Sequence, residues 1–185
     1  MKKTLLFVLA LIFSGCADPV LRNLDDLVQQ GDTYLDRETM RPHSGPAFRF
    51  FPNDTTRIER RMKLKDGKRH GPYEEYRENG QLQLKTNYVA GERDGQLEYY
   101  DENGQLRSKT TYVAGERDGP YESYHENGQL HGRGTYVADE LDGPWELYHE
   151  NGQLQGKGTY NMGEECGEWI QDGGTVTYDP CPPGN

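Results

Sequence analysis

Long apolar runs are almost absent from this 185-residue chain: only Leu5 to Phe13 is continuously apolar, and that is too short to cross a bilayer. Hydrophobic residues make up 32% of the sequence, with 2 Trp, which is too little to fill a thick two-layer core. The 3 cysteines show no CxxC or Cys/His spacing, so no zinc site is expected. Cations are also the minority, 21 against 31 acids. A chain of that balance is not drawn electrostatically to nucleic acid or to anionic head groups. No phosphate loop, HExxH, Ser/His/Asp arrangement or paired catalytic carboxylate is legible, and neither an enzyme nor a cofactor is expected.

What is present is repetition. Aligned on Gly71, Gly95, Gly119 and Gly143, four segments restate one 24-residue sentence, of which GPYESYHENGQLHGRGTYVADELD is the third. A constant period of this length marks a repeat architecture. Each copy holds Asn-Gly between two short runs of strand character: Asn79-Gly80, Asn103-Gly104, Asn127-Gly128 and Asn151-Gly152. Asn-Gly suits a two-residue type I′ turn, where both residues take positive φ. Counting outward in the third copy pairs Glu126 with Gln129, His125 with Leu130, Ser123 with Gly132, Glu122 with Arg133 and Tyr121 with Gly134.

Period-two alternation then predicts two faces. One holds Tyr121, Leu130 and Tyr136, with Gly132 and Gly134 leaving room for rings over bare backbone; the equivalent apolar residues are Tyr73, Leu82 and Tyr88, then Leu97, Leu106 and Tyr112, then Trp145, Leu154 and Tyr160. The other holds the pairs Glu74–Lys85, Glu98–Lys109, Glu122–Arg133 and Glu146–Lys157. The column Tyr76, Tyr100, Tyr124 and Tyr148 falls on this charged face, unless a bulge turns it inward, and is a candidate binding surface. The predicted fold is all-β: one elongated, twisted antiparallel meander of hairpins, residues 45–174, on the order of 40–60 Å long at ~4.8 Å per strand. Gly45–Asp54 reads as a worn first copy and Gly167–Gly174 as a shortened last one. Residues 175–185 form a Pro/Gly tail. Val20, Leu21, Leu24, Leu27 and Val28 have helical spacing, so residues 16–44 are expected to be a tether with a short helix or strand docking on the first hairpin.

Lys2 and Lys3 ahead of the apolar run, and Ser14-Gly15 after it, form a signal peptide over residues 1–15. Phe13-Ser14-Gly15-Cys16 resembles the lipobox of bacterial lipoproteins. That resemblance implies lipidation of Cys16 and, with Ala17 following, an outer-membrane location; an ordinary secretory signal is the alternative. The mature chain would keep 19 basic and 31 acidic side chains, a charge of −12, so membrane association would rest on the anchor. Cys166 and Cys181 then remain as an even pair in an oxidising compartment. They are either free thiols or a disulfide closing a loop of about 15 residues, worth roughly 3 kcal/mol.

The pattern Gly-x-Tyr/Trp-x-x-Tyr-x-x-Asn-Gly-x-Leu, then Tyr-x-x-Gly, resembles the bacterial variant of the MORN repeat, abundant in YwqK-type antitoxin proteins. The likeness spans roughly residues 45–174, with a lead-in at Leu24-Asp25-Asp26-Leu27. It implies a repeat sheet and carries no catalytic residues. A protein-interaction scaffold is the leading expectation. A glycan or cell-wall ligand stacked on the tyrosines, and an antitoxin-like role, are the alternatives. His125 and His149, with Glu126 and Glu150 beside them, occupy a column that also holds Arg77 and Asp101, which marks a tolerant surface. Arg57, Arg60, Arg61, Lys63, Lys65, Lys68 and Arg69, with Arg49 nearby, form the one basic cluster, a candidate dock for an acidic partner or simply a charged strand edge.

Overall fold

Two kinds of turn, one on each side of a sheet, build this fold. The computed structural model describes residues 21–182; residues 1–15, expected to be a signal peptide, and Cys16 lie outside the described residues. On one side the Asn-Gly corners reverse the chain, but not as type I′ turns. In the third copy His125 N donates to Gln129 O at 2.8 Å and Gly128 N donates to His125 O at 2.9 Å. Only the glycine has positive φ, +81°. This is a three-residue loop, a type I turn closed by a left-handed glycine. The asparagine acts through its side chain instead, Asn127 Oδ1 accepting from Gln129 N at 2.9 Å.

The opposite side holds two-residue turns with positive φ at both centres: Asp66-Gly67, Ala90-Gly91, Ala114-Gly115, Ala138-Asp139 and Met162-Gly163; a further such turn, Asp172-Gly173, lies on the Asn-Gly side, where Asp172 N donates to Gln155 O at 2.9 Å. Each is bracketed by a directly paired couple, as Val113 and Glu116 bracket Ala114-Gly115. Successive turns are stitched together, Gly91 N to Arg69 O at 2.9 Å and Gly115 N to Arg93 O at 2.8 Å. Alanine at φ +48° is an L-residue in a region that crowds its Cβ. Ala114→Asn is therefore expected to raise the unfolding free energy by about 0.5–1 kcal/mol, read as a higher urea midpoint at unchanged slope.

Between these turns runs the expected all-β antiparallel meander, a single open 15-stranded sheet. Its repeat hairpins pair Lys68–Tyr76 with Leu82–Val89, Gly95–Tyr100 with Leu106–Val113, Glu116–Tyr124 with Leu130–Val137 and Gly143–Tyr148 with Leu154–Asn161. From Ser123 outward the third hairpin has the counted register, Ser123 facing Gly132, Glu122 facing Arg133 and Tyr121 facing Gly134. Nearer the corner the count fails, because Tyr124 faces Leu130. The loop is one residue longer than expected, and the bulged residue His131 restores the register. Gln83, Arg107 and Gln155 play the same part in the other copies.

The bulge moves a whole column to the other face. Leu82, Leu106, Leu130 and Leu154 pair directly with Tyr76, Tyr100, Tyr124 and Tyr148, and directly paired residues share a face. The leucines therefore leave the stripe of Tyr121 and Tyr136, where they were expected. Their former stripe is completed by Leu84 and by Leu147 instead.

Of the two forms expected for the docked N-terminal segment, a short helix or a strand, the structure has strands. A single 3-10 turn, Leu24–Asp26, leads into a separate two-stranded hairpin, Leu27–Gln30 with Thr33–Asp36. Arg22–Asn23 adds the one parallel pairing, to Gly45–Phe51. This cap buries Leu24 and Leu27 against Ala47, Met62, Leu64, Tyr73 and Tyr88, with Tyr34 and Leu84 packed on them. At the other end Glu164–Gln171 pairs with Gly174–Thr177, so the first residues of the expected tail form a strand. Cys166 and Cys181 are joined in a disulfide with a Cα–Cα distance of 4.9 Å, and Cys166 and Trp169 are both buried. Among the described residues no helix is long and apolar enough to cross a membrane.

Candidate functional site

Strand alternation, applied to the observed register, sorts the charged face into three parallel rows that run across all four repeats. The outermost row is small and polar: Pro72, Asn87, Gln96, Thr111, Pro120, Thr135, Pro144 and Thr159. The middle row alternates in sign: Glu74, Lys85, Glu98, Lys109, Glu122, Arg133, Glu146 and Lys157. The third alternates Tyr and Leu from Tyr76 to Leu154. Phe50, stacked edge-on against Phe48 at 4.8 Å, and Ile58 opposite it extend this apolar row toward the N-terminal end.

The glutamates and cations face each other inside hairpins as counted, yet the ion pairs close between hairpins. Lys85 Nζ meets Glu98 and Lys109 Nζ meets Glu122, each at 2.9 Å. Arg133 Nε meets Glu146 at 2.5 Å and Arg61 meets Glu74 at 3.6 Å. Each glutamate also accepts from the tyrosine two residues on: Tyr76 donates to Glu74 at 2.6 Å and Tyr148 to Glu146 at 2.5 Å, and Tyr100–Glu98 and Tyr124–Glu122 repeat the bond. The tyrosine column thus lies flat along the charged face, hydroxyls tied down and rings half-buried. The Tyr124 hydroxyl, then Lys109, holds the Glu122 carboxyl below its ordinary value of 4.5. Arg133 and then Tyr148 do the same for Glu146. Burial works against Glu98 ionising, but Tyr100 and Lys85 outweigh it and its pKa is lowered too.

A lowered folded-state carboxylate contributes stability above its unfolded pKa and loses it as pH falls through the folded value. The melting temperature is therefore expected to fall as pH drops below 4.5, the ordinary glutamate value. Tyr124→Phe removes the largest stabilising contact of the Glu122 carboxylate. Its titration, followed by carboxyl NMR, is expected to move up toward 4.5, while Glu146, two strands away, stays put.

Open troughs recur along this face at the repeat spacing. One of 420 Å³ lies over Pro72, Glu74, Lys85, Asn87, Gln96 and Glu98. Others of 310 Å³ and 460 Å³ lie over Pro120, Glu122, Arg133 and Pro144, and over Pro144, Glu146, Lys157 and Ile170. A larger hollow of 690 Å³ beside the first corner is lined by Phe51, Glu59, Arg60, Glu75, Tyr76 and Arg77, among others.

On the other face aromatic rings pack against one another and onto glycine backbone. Tyr136, Tyr121, Trp145, Tyr160, Trp169 and Tyr178 form an unbroken chain of neighbours at 5.0–6.2 Å. Trp145 covers Gly134 and Trp169 covers Gly158, each ring belonging to the next hairpin along. Arg69, Arg93 and Arg117 sit over Tyr88, Tyr112 and Tyr136 at 4.2, 5.5 and 4.1 Å, closing that stripe with cations.

The histidines are not brought together as a site. His125 Nε2 lies 2.7 Å from the Tyr148 carbonyl, with its ring 4.6 Å from His131 of its own hairpin. His149 faces Asp172 at 3.6 Å. Among the described residues no group of three or more His, Cys, Asp or Glu could hold a metal ion. The basic cluster is largely spent: Arg57 on Asp54, Arg60 on Glu59 and Glu75, Lys68 on Asp32, and Arg69 on Tyr88. Neither the alternation of Tyr with Leu nor the closure of ion pairs between copies was foreseen from sequence. A bulge at the third residue after each Asn-Gly glycine would have been needed to find the first.

With that geometry in place, comparison with known proteins is informative for the repeats and silent beyond them. The MORN repeat variant family matches at residues 69–90, 93–114, 117–138 and 141–162. The chain is a MORN repeat protein of this variant type, its matched copies ending on the first residue of each two-residue turn. The match is narrower than the span 45–174 read from the sequence, although the flanking hairpins continue the same sheet. No curated protein matches the chain. Among solved structures, one titled "Crystal structure of GtfA/B complex bound to UDP and GlcNAc" is similar at 14% identity, covering 66% of this chain and 22% of that one, with a TM-score of 0.21. So low a score supports no argument about fold or ligand.

Proposed function

We propose that this chain is a non-catalytic, lipid-anchored envelope protein whose repeat sheet is a scaffold for a protein partner. The observation that carries the reading is the pair of parallel rows on the charged face. An extended partner lying across the strands would meet, every two strands, the same Tyr/Leu step and the same Glu/Lys step. Repetition of that kind favours long interfaces over point-like sites. The tyrosines suit such a role because their rings offer apolar area while their hydroxyls are fixed by glutamates. A partner with apolar side chains in register with the troughs and charges in register with the middle row is the occupant this face fits.

The test is site-specific photocross-linking in cells. A cross-linker at Leu130, on the Tyr/Leu row, should give one discrete protein adduct that Tyr100→Ala with Tyr124→Ala abolishes. The same probe at Ser108, on the aromatic face, should give none. Absence of any discrete adduct from the Leu130 position removes the scaffold reading.

The anchor is argued from Lys2 to Cys16 alone. Cys16→Ser is expected to move the protein from the membrane to the soluble fraction and to abolish incorporation of labelled palmitate. Label that persists in the variant, or that never enters the unmutated protein, would exclude lipidation at that cysteine.

A further inference from the structure

We propose that copies of this protein join head to tail, the last strand of one sheet pairing with the open first edge of the next. The two ends of the sheet differ in charge. Residues 21–69 carry 11 bases against 8 acids, a balance of +3, while residues 140–182 carry 1 base against 9 acids, a balance of −8. At the basic end Lys63 and Lys65 are exposed and, among the described residues, have no ion-pair partner. At the acidic end Glu164, Glu168 and Asp179 are likewise exposed and unpaired among the described residues, in a segment that contains no lysine or arginine.

Both edges are also left incomplete in hydrogen bonding. Gly174–Thr177 pairs on one side only, and all four of its residues are exposed. Gln171 and Gly174 flank a two-residue turn and exchange both of their bonds, so alternate residues beyond them turn outward. Tyr178 N bonding inward to Gly167 O at 2.9 Å fits that alternation. Thr175 and Thr177 thus aim their N–H and C=O groups off the sheet. At the opposite end Arg22–Asn23 faces only Ala47 and Phe48 of the seven-residue strand Gly45–Phe51. Arg49 to Phe51 pair with Asp54–Lys65 on one side and have no strand on the other among the described residues. An exposed edge of this kind is a template for pairing. Natural sheets guard such edges with like charge; here the free charges one strand in from each edge are of opposite sign and attract. The contact is heterologous, so it lengthens the sheet rather than closing a symmetric dimer. This inference does not depend on the partner reading above, since it uses the edges and not the charged face.

Sedimentation equilibrium on the mature chain tests it. At about 20 mM salt the apparent mass should rise with concentration, and at about 500 mM salt, where screening is nearly complete, it should return to the monomer. Thr175→Pro removes one outward donor without touching the inward hairpin bonds, and should leave a folded monomer at low salt. Glu164→Lys with Glu168→Lys, and separately Lys63→Glu with Lys65→Glu, should each be monomeric. Mixing those two reversed proteins should restore association, because the basic tail of one then meets the acidic head of the other. A monomer under all conditions overturns the proposal. So does association that survives salt and both reversals, or a mixture of the reversed pair that stays monomeric.

Discussion

Leu64→Ala is expected to lower the unfolding free energy by about 3–4 kcal/mol, toward the upper part of the range for emptied core sites. Leu64 is 1% exposed and is the largest fully buried side chain among the described residues. It sits where the N-terminal hairpin closes over the sheet, among Leu24, Leu27, Ala47, Met62, Tyr73 and Tyr88. The residues around it come from separate segments, the N-terminal cap and four successive strands, so the space left by truncation cannot be filled by one side chain moving. The loss should also be local. In a single-layer sheet each strand touches only its neighbours, and a weakened end need not unfold the far end. Hydrogen exchange is expected to show lost protection across Gly45–Phe51 and Asp54–Lys65, with Glu164–Gln171 unaffected. Uniform loss along the whole chain would mean the sheet unfolds as one unit.

Gly158→Ala is expected to cost about 2–3 kcal/mol, the scale of overpacking a filled site. The Trp169 indole lies directly over Gly158, and a Cβ there would fall inside the ring, closer than the 3.0 Å that real Cβ atoms keep. Trp169 is 3% exposed and cannot swing away freely: Tyr160 and Tyr178 flank it at 5.0 and 6.2 Å. The ring must leave, exposing the patch beside the Cys166–Cys181 bridge. Tryptophan emission should shift to the red and the urea midpoint should fall. Gly174→Ala is the control, because its nearest neighbour, the Gln171 carbonyl, lies at 3.5 Å and there is ordinary room for a methyl. That change should stay within about 0.5 kcal/mol. If the two variants behave alike, glycine flexibility rather than ring coverage is what Gly158 supplies.

Both predictions concern the ends because the ends hold the buried apolar groups. Through the middle repeats nearly every side chain is half-exposed, and cohesion comes from backbone pairing, the alternating charge row and the aromatic chain. Exposed ion pairs contribute little singly. Here each carboxylate is shared by a cation and a phenol, so the row acts as a network. That arrangement keeps both broad faces available to other molecules, which a two-layer fold would not.

The sequence by itself determined the period, the strands of the four repeats and the location of each Asn-Gly corner. Asn-Gly recurring each 24 residues leaves few other places for the chain to reverse, and alternation of side chains is intrinsic to a strand. It also set which residues face each other through most of each hairpin, and the need for glycine beneath rings at Gly134 and Gly158. It could not reveal that the corner takes three residues while a bulge at His131 takes up the extra one, because two compensating shifts leave the outer register unchanged. Only the folded chain decided that Leu130 lies with Tyr124, that Lys85 reaches Glu98 of the next copy rather than Glu74 of its own, and that residues 21–44 form a cap. Those outcomes depend on which strand becomes a neighbour on the far side. Local propensity carries no information about a surface that exists only once the next hairpin has docked.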